Sequence, residues 1–350
     1  MKSIRIIGTG SYLPGPRIDN EQLAARFGRQ MIWLTEMFGS RTRHFAIDLN
    51  NLELRRGESN THMATEAAKQ AIEDAGIDPL AIDLIVMATS TPDYPFPATA
   101  LFVQEQLGIP DCCVMELRAG CGGMAQAFLI AKHLLENEVN QTALLIGSDL
   151  ISPYISLFKY DSIIDKDYLV SLAMFGDGAG AVVLDANSPS PGILDVMSRS
   201  MSTGRAPGMI LRTGGSLSPV GDLAVTKDMP KKVFSHDFKT IMAQGPSLIE
   251  ASAKWLFEER KYDATSFDYF VPPQVNNRLI DMVASAIKVE KHKVFTNFDQ
   301  VGNTVSASIY IALDQMNRSK ILRFGDLLVL LPTEATKWLY GGIVIKWSKS

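Results

Sequence analysis

The chain has 350 residues, of which 46% are hydrophobic and 21% are charged, and its formal net charge is -4. This length predicts two domains packed on one another and not one ordinary core. The charged residues form no block of one sign, which argues against nucleic acid as a partner. No apolar stretch approaches the roughly 20 residues that cross a bilayer, so no membrane association is expected.

The N-terminal residues and the cysteines indicate the cellular compartment. Residues 3–7 form a short β-branched run, so we expect a first strand there and not a signal peptide. Cys112, Cys113 and Cys121 give no even, spaced framework for disulfides, and we therefore expect a cytoplasmic protein. Cys112 and Cys113 lie in an apolar run and are predicted to be buried strand residues.

Strand and helix patterns alternate along the whole chain, which predicts an α/β protein with sheets covered on both faces. In the first half we predict strands at 3–7, 84–88, 112–117 and 143–147, with helices ending at Gly76 and covering 98–107 and about 124–136. The stretch 185–192 contains prolines, serines and an asparagine. The predicted halves are therefore residues 1–185 and 186–350.

The second half repeats this order of elements. We predict helices at about 245–259, 278–287 and 306–316, and strands at 269–271, 293–297, 327–331 and 343–347. In each half a turn with one polar residue lies near the start of a helix, Cys121 in the first and Asn303 in the second. The pattern is that of a weak internal duplication.

Cys121 is the strongest candidate for a nucleophile. It lies in Arg118-Ala-Gly-Cys-Gly-Gly-Met, between a predicted strand and a predicted helix. The glycines permit a tight turn and close approach of a ligand. Unpaired N–H groups and the helix dipole favour a thiolate at this position, and Arg118 could add to that effect. The alternative is a small buried cysteine in a glycine-rich turn.

A cysteine nucleophile usually has a histidine as its base, but none of the five histidines lies in a matching pattern. His236 is the exception to consider, because its segment could form a loop over the other half. Asn303 precedes a helix, and its amide could donate to a carbonyl oxygen as oxyanion-hole donors do. The alternative for Asn303 is a turn-forming Gly-Asn pair.

Two further classes of site are not supported by the sequence. Gly8-Thr-Gly10 follows a strand but lacks the third glycine and the helix of a dinucleotide-binding fingerprint. No cluster of candidate metal ligands has the required spacing, so no metal is expected.

Six segments together resemble β-ketoacyl-acyl carrier protein synthase III, in order and spacing over nearly the whole chain. They are Ile6-Ile-Gly-Thr-Gly-Ser-Tyr-Leu-Pro, the Trp33 segment ending in Arg41-Thr-Arg-His, the Cys121 turn, Phe175-Gly-Asp-Gly-Ala-Gly, Val271-Pro-Pro-Gln-Val-Asn and Gly302-Asn-Thr-Val-Ser-Ala-Ser. The resemblance implies an α/β thiolase fold with five layers (αβαβα), two halves related by a pseudo-twofold axis, and a homodimer.

The resemblance also implies residue roles. The family's acyl-accepting cysteine falls on Cys121, whose backbone N–H would form an oxyanion hole with a nearby glycine-rich loop, and the catalytic asparagine falls on Asn303. Substrate contacts fall on Trp33 (coenzyme A adenine), Arg278 (opposite wall of the tunnel mouth), Asn276 (pantetheine channel) and Phe96 (the partner subunit's acyl pocket). No cofactor is implied, because an acyl-CoA or acyl carrier protein thioester is the substrate.

Three departures from the family pattern concern the chemistry. Pro273 occupies the position of the catalytic histidine, Met37 replaces an arginine near the tunnel mouth, and residues 332–337 replace a Gly-Gly-Gly loop. Proline has no N–H and no side-chain donor, so Pro273 cannot replace the histidine. Loss of one charge-stabilising donor costs about 2.7–4 kcal/mol, and we expect decarboxylation of a malonyl thioester to be the affected step.

Three functions agree with these observations. The leading hypothesis is an acyltransferase of fatty-acid-like or polyketide biosynthesis that loads an acyl group on Cys121 and passes it to an acceptor. The second is decarboxylative condensation with malonyl-ACP or malonyl-CoA, with water, Asn303 or His236 standing in for the histidine. The third is a non-catalytic subunit of a heteromeric synthase, which the intact Cys121 turn opposes.

Overall fold

The computed structural model describes residues 3–137, 140–156, 166–188, 192–211, 215, 234–277 and 279–349. Within them the strands are β1 (Ser3–Tyr12), β2 (Arg17–Asp19), β3 (Thr42–His44), β4 (Leu84–Ala88), β5 (Cys113–Leu117), β6 (Thr142–Asp149), β7 (Gly178–Ser188), β8 (Ile193–Ser200), β9 (Met209–Leu211), β10 (Phe234–His236), β11 (Tyr269–Val271), β12 (Leu327–Leu330), β13 (Thr333–Glu334) and β14 (Leu339–Lys346).

The helices of the same residues are α1 (Asn20–Phe27), α2 (Gln30–Phe38), α3 (Asn60–Ala75), α4 (Thr99–Gln106), α5 (Gly123–Glu136), α6 (Ser152–Ser156), α7 (Lys166–Met174), α8 (Phe238–Gln244), α9 (Pro246–Lys254), α10 (Leu279–Ile287), α11 (Phe298–Val301) and α12 (Ser308–Arg318). Among the helices described here, none is long and apolar enough to cross a membrane.

Two five-stranded sheets form the frame of the molecule. The first has the order β1-β7-β6-β4-β5, and the second has the order β11-β12-β14-β13, with β8 paired to β14. Strand β4 pairs in parallel with both β5 and β6, and all five of its residues are buried. An unbroken buried run of this kind is typical of a sheet covered on both faces.

Helices α5 and α12 fill the space between the two sheets. Phe128 of α5 and Tyr310 of α12 are fully buried, with ring centroids 6.3 Å apart. Their core cluster includes Val86 and Leu145 of the first sheet and Leu330 of the second. The outer face of the first sheet is covered by α3, and that of the second by α9 and α10. The layers are therefore α, β, α, β, α.

Gly8 and Gly10 serve close packing of a helix on a strand. A Cβ at Gly8 would lie 2.1 Å from the carbonyl oxygen of Ala71, and one at Gly10 would lie 2.3 Å from that of Ala67. Strand β1 thus approaches helix α3 more closely than any side chain permits. This contact explains the Gly8-Thr-Gly10 pattern without a nucleotide.

The structure corrects two predictions from the sequence. The strand expected at 293–297 is wrong, since Lys291–Lys293 is a 3-10 turn and Val294 makes only an isolated bridge to Phe270. The expected burial of both early cysteines is also wrong, because Cys113 is exposed and Cys112 is half-buried. Cys113 begins β5, an edge strand. The division of the chain at 185/186 stays a prediction; the two positions lie within strand β7.

Candidate active site

Cys121 lies in the turn that joins strand β5 to helix α5. Residues Gly120–Gly122 form one 3-10 turn, and α5 starts at Gly123. Gly120 has a φ of 48°, in the left-handed region that favours glycine. A Cβ at Gly123 would lie 2.5 Å from the Cβ of Ala88 on strand β4. The glycines therefore hold the cysteine at the helix start and close to the sheet.

A cavity of about 220 Å³ opens onto Cys121. Asn303, Pro273 and Asn276 also line it, so the structure brings together four positions that the sequence had singled out. Its walls are mostly apolar, and they include Phe38, Met174, Phe175, Met209, Phe238, Ile241, Leu248, Ile249, Leu279 and Met282. A mostly apolar cavity with a few polar groups is typical of a small-molecule site.

The amide of Asn303 has a fixed orientation. Its Oδ1 accepts hydrogen bonds from the backbone N–H of Val305 at 2.8 Å and from Oγ of Ser308 at 3.0 Å. An amide whose oxygen is engaged in this way presents its two N–H donors on the other side. Asn303 and Cys121 line the same cavity, and the Asn303 side chain lowers the pKa of the Cys121 thiol, so its N–H groups can donate to an oxygen or sulfur at the nucleophile.

The backbone around Asn303 is tied to the segment that joins helix α7 to strand β7 in the first half. The N–H of Asn303 donates to the carbonyl of Met174 at 2.8 Å, and the N–H of Gly176 donates to the carbonyl of Asn303 at 3.0 Å. Val305 has a φ of 53°, which is rare for a β-branched residue. Such strained backbone persists where its surroundings hold it firmly, and it is frequent near active sites.

The environment of the Cys121 thiol differs from the simple sequence expectation. Burial raises the thiol pKa well above its ordinary value, and the carboxyl groups of Glu334 and Asp149 raise it further. The backbone N–H at Cys121 and the Asn303 side chain lower the pKa, but by less. The expected preference for a thiolate is therefore wrong for the resting site, because burial outweighs the N–H donor at the helix start and the thiol is neutral at neutral pH.

Glu334 is a site residue that the sequence did not reveal. Its side chain is only 3% exposed, it lines the cavity of Cys121, and the N–H of Lys337 donates to its Oε1 at 3.1 Å. Burial raises the pKa of Glu334 to about 7. Backbone N–H donors, including those of Lys337 and Thr336, lower the pKa by less than burial raises it. The sequence did offer one signal for Glu334, because residues 332–337 depart from the family's glycine loop.

The second carboxyl group near Cys121, Asp149, is fully occupied by donors. It accepts from the N–H and Oγ of Ser306 at 3.0 and 2.6 Å, from the N–H of Ser90 at 2.7 Å, and from Oγ1 of Thr91 at 2.9 Å. These bonds join the end of strand β6 to the segment after Asn303. Asp149 therefore positions the site, and its oxygens are not free for chemistry.

His236 lies at the cavity wall and not on an exposed loop. It is 2% exposed, and its Nδ1 is 2.8 Å from Oγ of Ser171. Burial lowers the pKa of His236 to about 4, so the imidazole is neutral at physiological pH. The ring packs among Phe175, Phe234 and Phe238. A base this weak is a poor replacement for a catalytic histidine.

The remaining predicted substrate residues fall at different places. Asn276 lines the cavity, and its buried Oδ1 has no hydrogen-bond partner among the described residues. Trp33 is 59% exposed on α2, the helix that ends at Phe38 in the cavity wall, and Phe96 is 85% exposed. Arg278 lies outside the described residues.

A second and larger cavity also reaches the Cys121 turn. Its volume is about 970 Å³, and Arg118, Gly120, Tyr154 and Lys337 are among its lining residues. Glu334 lines both cavities, as do Met209 and Thr336. No group of three or more potential metal ligands is found in the described part of the chain.

Two family models and several relatives match this chain. The model of 3-oxoacyl-[acyl-carrier-protein] synthase III matches residues 115–202, and the model of its C-terminal part matches residues 257–347. The β-ketoacyl-[acyl-carrier-protein] synthase III of Bradyrhizobium diazoefficiens is 36% identical over 348 residues, which is 98% of each chain. That of Rickettsia rickettsii is 32% identical over 343 residues, 98% of this chain and 99% of the relative.

Solved structures show the same fold over the whole chain. The tetronic acid condensing enzyme AbyA1 has a TM-score of 0.85 at 28% identity, covering 98% of this chain and 100% of that one. The 3-oxoacyl-(acyl carrier protein) synthase III of Pseudomonas aeruginosa has a TM-score of 0.82 at 28% identity, covering 99% of each. The chain therefore belongs to the β-ketoacyl-acyl carrier protein synthase III family of condensing transferases and has its five-layered thiolase fold.

Proposed function

We propose that the protein is an acyltransferase that takes an acyl group from acyl-CoA or an acyl carrier protein onto Cys121 and passes it to an acceptor. The proposal is supported by the position of Cys121 just before the start of α5, in the wall of an apolar cavity that Asn303 also lines. A thioester carbonyl held at Cys121 would find the donors that stabilise its oxyanion.

The donor enters through the smaller cavity. Its apolar walls suit a pantetheine arm, and the unpartnered Oδ1 of Asn276 is placed to accept from a pantetheine amide. Trp33 provides an exposed aromatic face for an adenine, and Arg278 is the proposed counterpart on the opposite wall. No cofactor is required, because the thioester itself supplies the activated acyl group.

Loading of Cys121 is tested by intact-protein and peptide mass spectrometry. After incubation with acetyl-CoA, hexanoyl-CoA or decanoyl-CoA, the wild type should gain the mass of the acyl group on the peptide that contains Cys121. The Cys121→Ala variant should gain nothing, because it lacks the nucleophile. Failure of every acyl donor to label the folded wild-type protein, including acyl-ACP, would refute the proposal.

Decarboxylative condensation is the second candidate. It is favoured by the relatives named β-ketoacyl-[acyl-carrier-protein] synthase III, which match 98% of this chain. Pro273 opposes it, since this cavity residue supplies no donor for a developing enolate. Release of carbon dioxide from malonyl-ACP together with a 3-ketoacyl product would decide for it.

A homodimer is part of the proposal. Strand β5 is the last strand of its sheet, and Cys113 at its start is exposed. An edge strand of this kind is a template for pairing with another chain. The exposed Phe96 side chain is the proposed contact with the partner's acyl pocket.

A further inference from the structure

A buried carboxyl group lies directly against the Cys121 turn. A Cβ at Gly120 would be 3.2 Å from Cγ of Glu334, and a Cβ at Gly122 would be 3.2 Å from Cβ of Glu334. These two glycines flank Cys121, so the side chain of Glu334 packs against both neighbours of the nucleophile. The carboxyl group is also close enough to act on the charge of the thiol.

We infer that Glu334 is the proton-transfer residue of both half-reactions, and that the acyl acceptor is a neutral compound with a hydroxyl, thiol or amine group. The inference rests on the proposed acyl-enzyme at Cys121. Glu334 would take over proton transfer in a site where Pro273 stands in place of the family's histidine. General acid–base catalysis of this kind contributes typically about 10²–10⁴-fold to a rate.

Glu334 suits the role better than the other titratable groups at the site. The oxygens of Asp149 are occupied by Ser306, Ser90 and Thr91, and His236 is too weak a base. Glu334 is held by backbone N–H groups of its own loop, so its carboxyl group is oriented without a side-chain partner that competes for the proton. Because Glu334 lines both cavities, it can serve a donor in one cavity and an acceptor in the other.

The loading step balances with Glu334 as the only proton carrier. The Cys121 thiol gives its proton to the Glu334 carboxylate, and the thiolate attacks the acyl-CoA carbonyl. The bond from the carbonyl carbon to the CoA sulfur breaks, and the CoA thiolate takes the proton from the Glu334 carboxylic acid. The products are acyl-Cys121, free CoA–SH and the Glu334 carboxylate.

The transfer step uses the same group again. The Glu334 carboxylate removes the proton of the acceptor's X–H group while X attacks the thioester carbon on Cys121. The bond from carbon to the Cys121 sulfur breaks, and the thiolate takes the proton back from Glu334. The enzyme returns to its resting state and the acyl group leaves on X.

The charge at the site argues for a neutral acceptor. Once ionised, Glu334 stands with Asp149 near the reacting sulfur, and no Lys or Arg is found among the described residues lining the smaller cavity. Like charges 4 Å apart repel by about 1 kcal/mol in water and about 4 kcal/mol at an effective dielectric constant of 20. A malonyl carboxylate and an enolate would both meet this repulsion, whereas a neutral X–H compound would not.

The test compares pH profiles of Cys121 reactivity in the wild type and in Glu334→Gln, which keeps the shape and removes the base. Two probes are used: acetyl-CoA, followed by rapid-quench mass spectrometry, and iodoacetamide, which alkylates the thiolate without any acyl chemistry. Wild-type profiles should rise to a break near pH 7, the pKa of Glu334, and then level. Glu334→Gln should lose the break and be acylated about 10²–10⁴-fold more slowly near pH 7.

Two control variants separate proton transfer from a structural effect. Glu334→Asp keeps a carboxyl group and should retain a break at reduced rate. Glu259→Gln makes the same change at an exposed carboxylate that pairs with Arg199 and lines neither cavity, so it should keep the wild-type profile. Equal profiles for wild type and Glu334→Gln, or an equal defect in Glu259→Gln, would overturn the inference. If the pH profile of iodoacetamide alkylation shows the break but no acyl donor labels Cys121, only the proposed acyl-enzyme is refuted.

Discussion

At the scale of single residues, the site combines a nucleophile that is poor at rest with a neighbouring carboxyl group that is easily protonated. Burial raises the pKa of both Cys121 and Glu334, and the Glu334 carboxyl group raises the Cys121 pKa further. Near neutral pH the thiol is therefore protonated, and a negative charge of the pair lies on Glu334. The Asn303 side chain acts in the opposite direction, because it lowers the Cys121 pKa.

The raised pKa of Glu334 has a consequence for stability. Its folded-state pKa of about 7 lies above the ordinary 4.5, so ionisation is harder in the folded protein than in the unfolded chain. The wild type should lose stability as the pH rises from about 4.5 to about 7, by about 3 kcal/mol at most, since one pKa unit is worth about 1.4 kcal/mol. Glu334→Gln should escape this loss.

The measurement is the free energy of unfolding in urea at several pH values. The difference between Glu334→Gln and the wild type should grow in favour of the variant between pH 4.5 and 7 and stay constant above pH 7. A difference that does not change with pH would show that Glu334 has an ordinary pKa in the folded protein.

The residues also show what the sequence could predict about the site. Cys121 and Asn303 were identified because each stands in a Gly-containing turn before a helix, and that local pattern is visible without a structure. Glu334 was missed because its position depends on β13 folding back against the Cys121 turn, more than 200 residues away in the chain. Its burial and its proximity to the thiol arise only from tertiary packing.

At the scale of elements, the site depends on the close contact of strand β6 with the segment after Asn303. A Cβ at Gly147 would lie 2.3 Å from the carbonyl oxygen of Ser306. Ser306 in turn bonds to Asp149 at the end of the same strand and to the carbonyl of Ala88 on β4. The position of Asn303 is therefore set by two strands of the first sheet.

The Gly147→Ala variant tests this dependence. The added methyl group must push Ser306 away, and overpacking of this kind typically costs about 1–3 kcal/mol. We expect a lower melting temperature and slower acylation of Cys121, although Gly147 touches neither substrate nor nucleophile. Gly57→Ala is the control, since Gly57 has a φ of 88° and no atom near its Cβ position. Gly57→Ala should lower stability and leave Cys121 reactivity unchanged. Wild-type reactivity of Cys121 in Gly147→Ala would show that the contact of β6 with Ser306 does not position the site.

Most elements were predictable because they follow simple periodicities. Strand β4 at Leu84–Ala88 and the helix that ends before Gly76 appear where the pattern placed them. The strand expected at 293–297 was wrong because its apolar residues serve a turn that packs Val294 against the second sheet. A short apolar run does not distinguish a strand from a buried turn.

At the scale of the whole molecule, the edge of the first sheet predicts how two copies associate. Strand β5 is the last strand on that edge, and Phe96 presents an aromatic ring that is 85% exposed. Light scattering with size-exclusion chromatography should give twice the 38.4 kDa mass of the chain. Val114→Pro in strand β5 should weaken the dimer, because proline removes a backbone N–H donor that could pair with the partner's strand. A monomeric wild type would contradict the proposed association.

The fate of the acyl group on Cys121 tests the central claim most directly. Wild-type protein loaded with an acyl group from acyl-CoA and freed of excess donor is mixed with malonyl-ACP, and both the Cys121 adduct and released carbon dioxide are followed. The account predicts a lasting adduct and no carbon dioxide, because Pro273 supplies no donor and Glu334 repels the malonyl carboxylate. Rapid loss of the adduct with formation of carbon dioxide and a 3-ketoacyl product would contradict it.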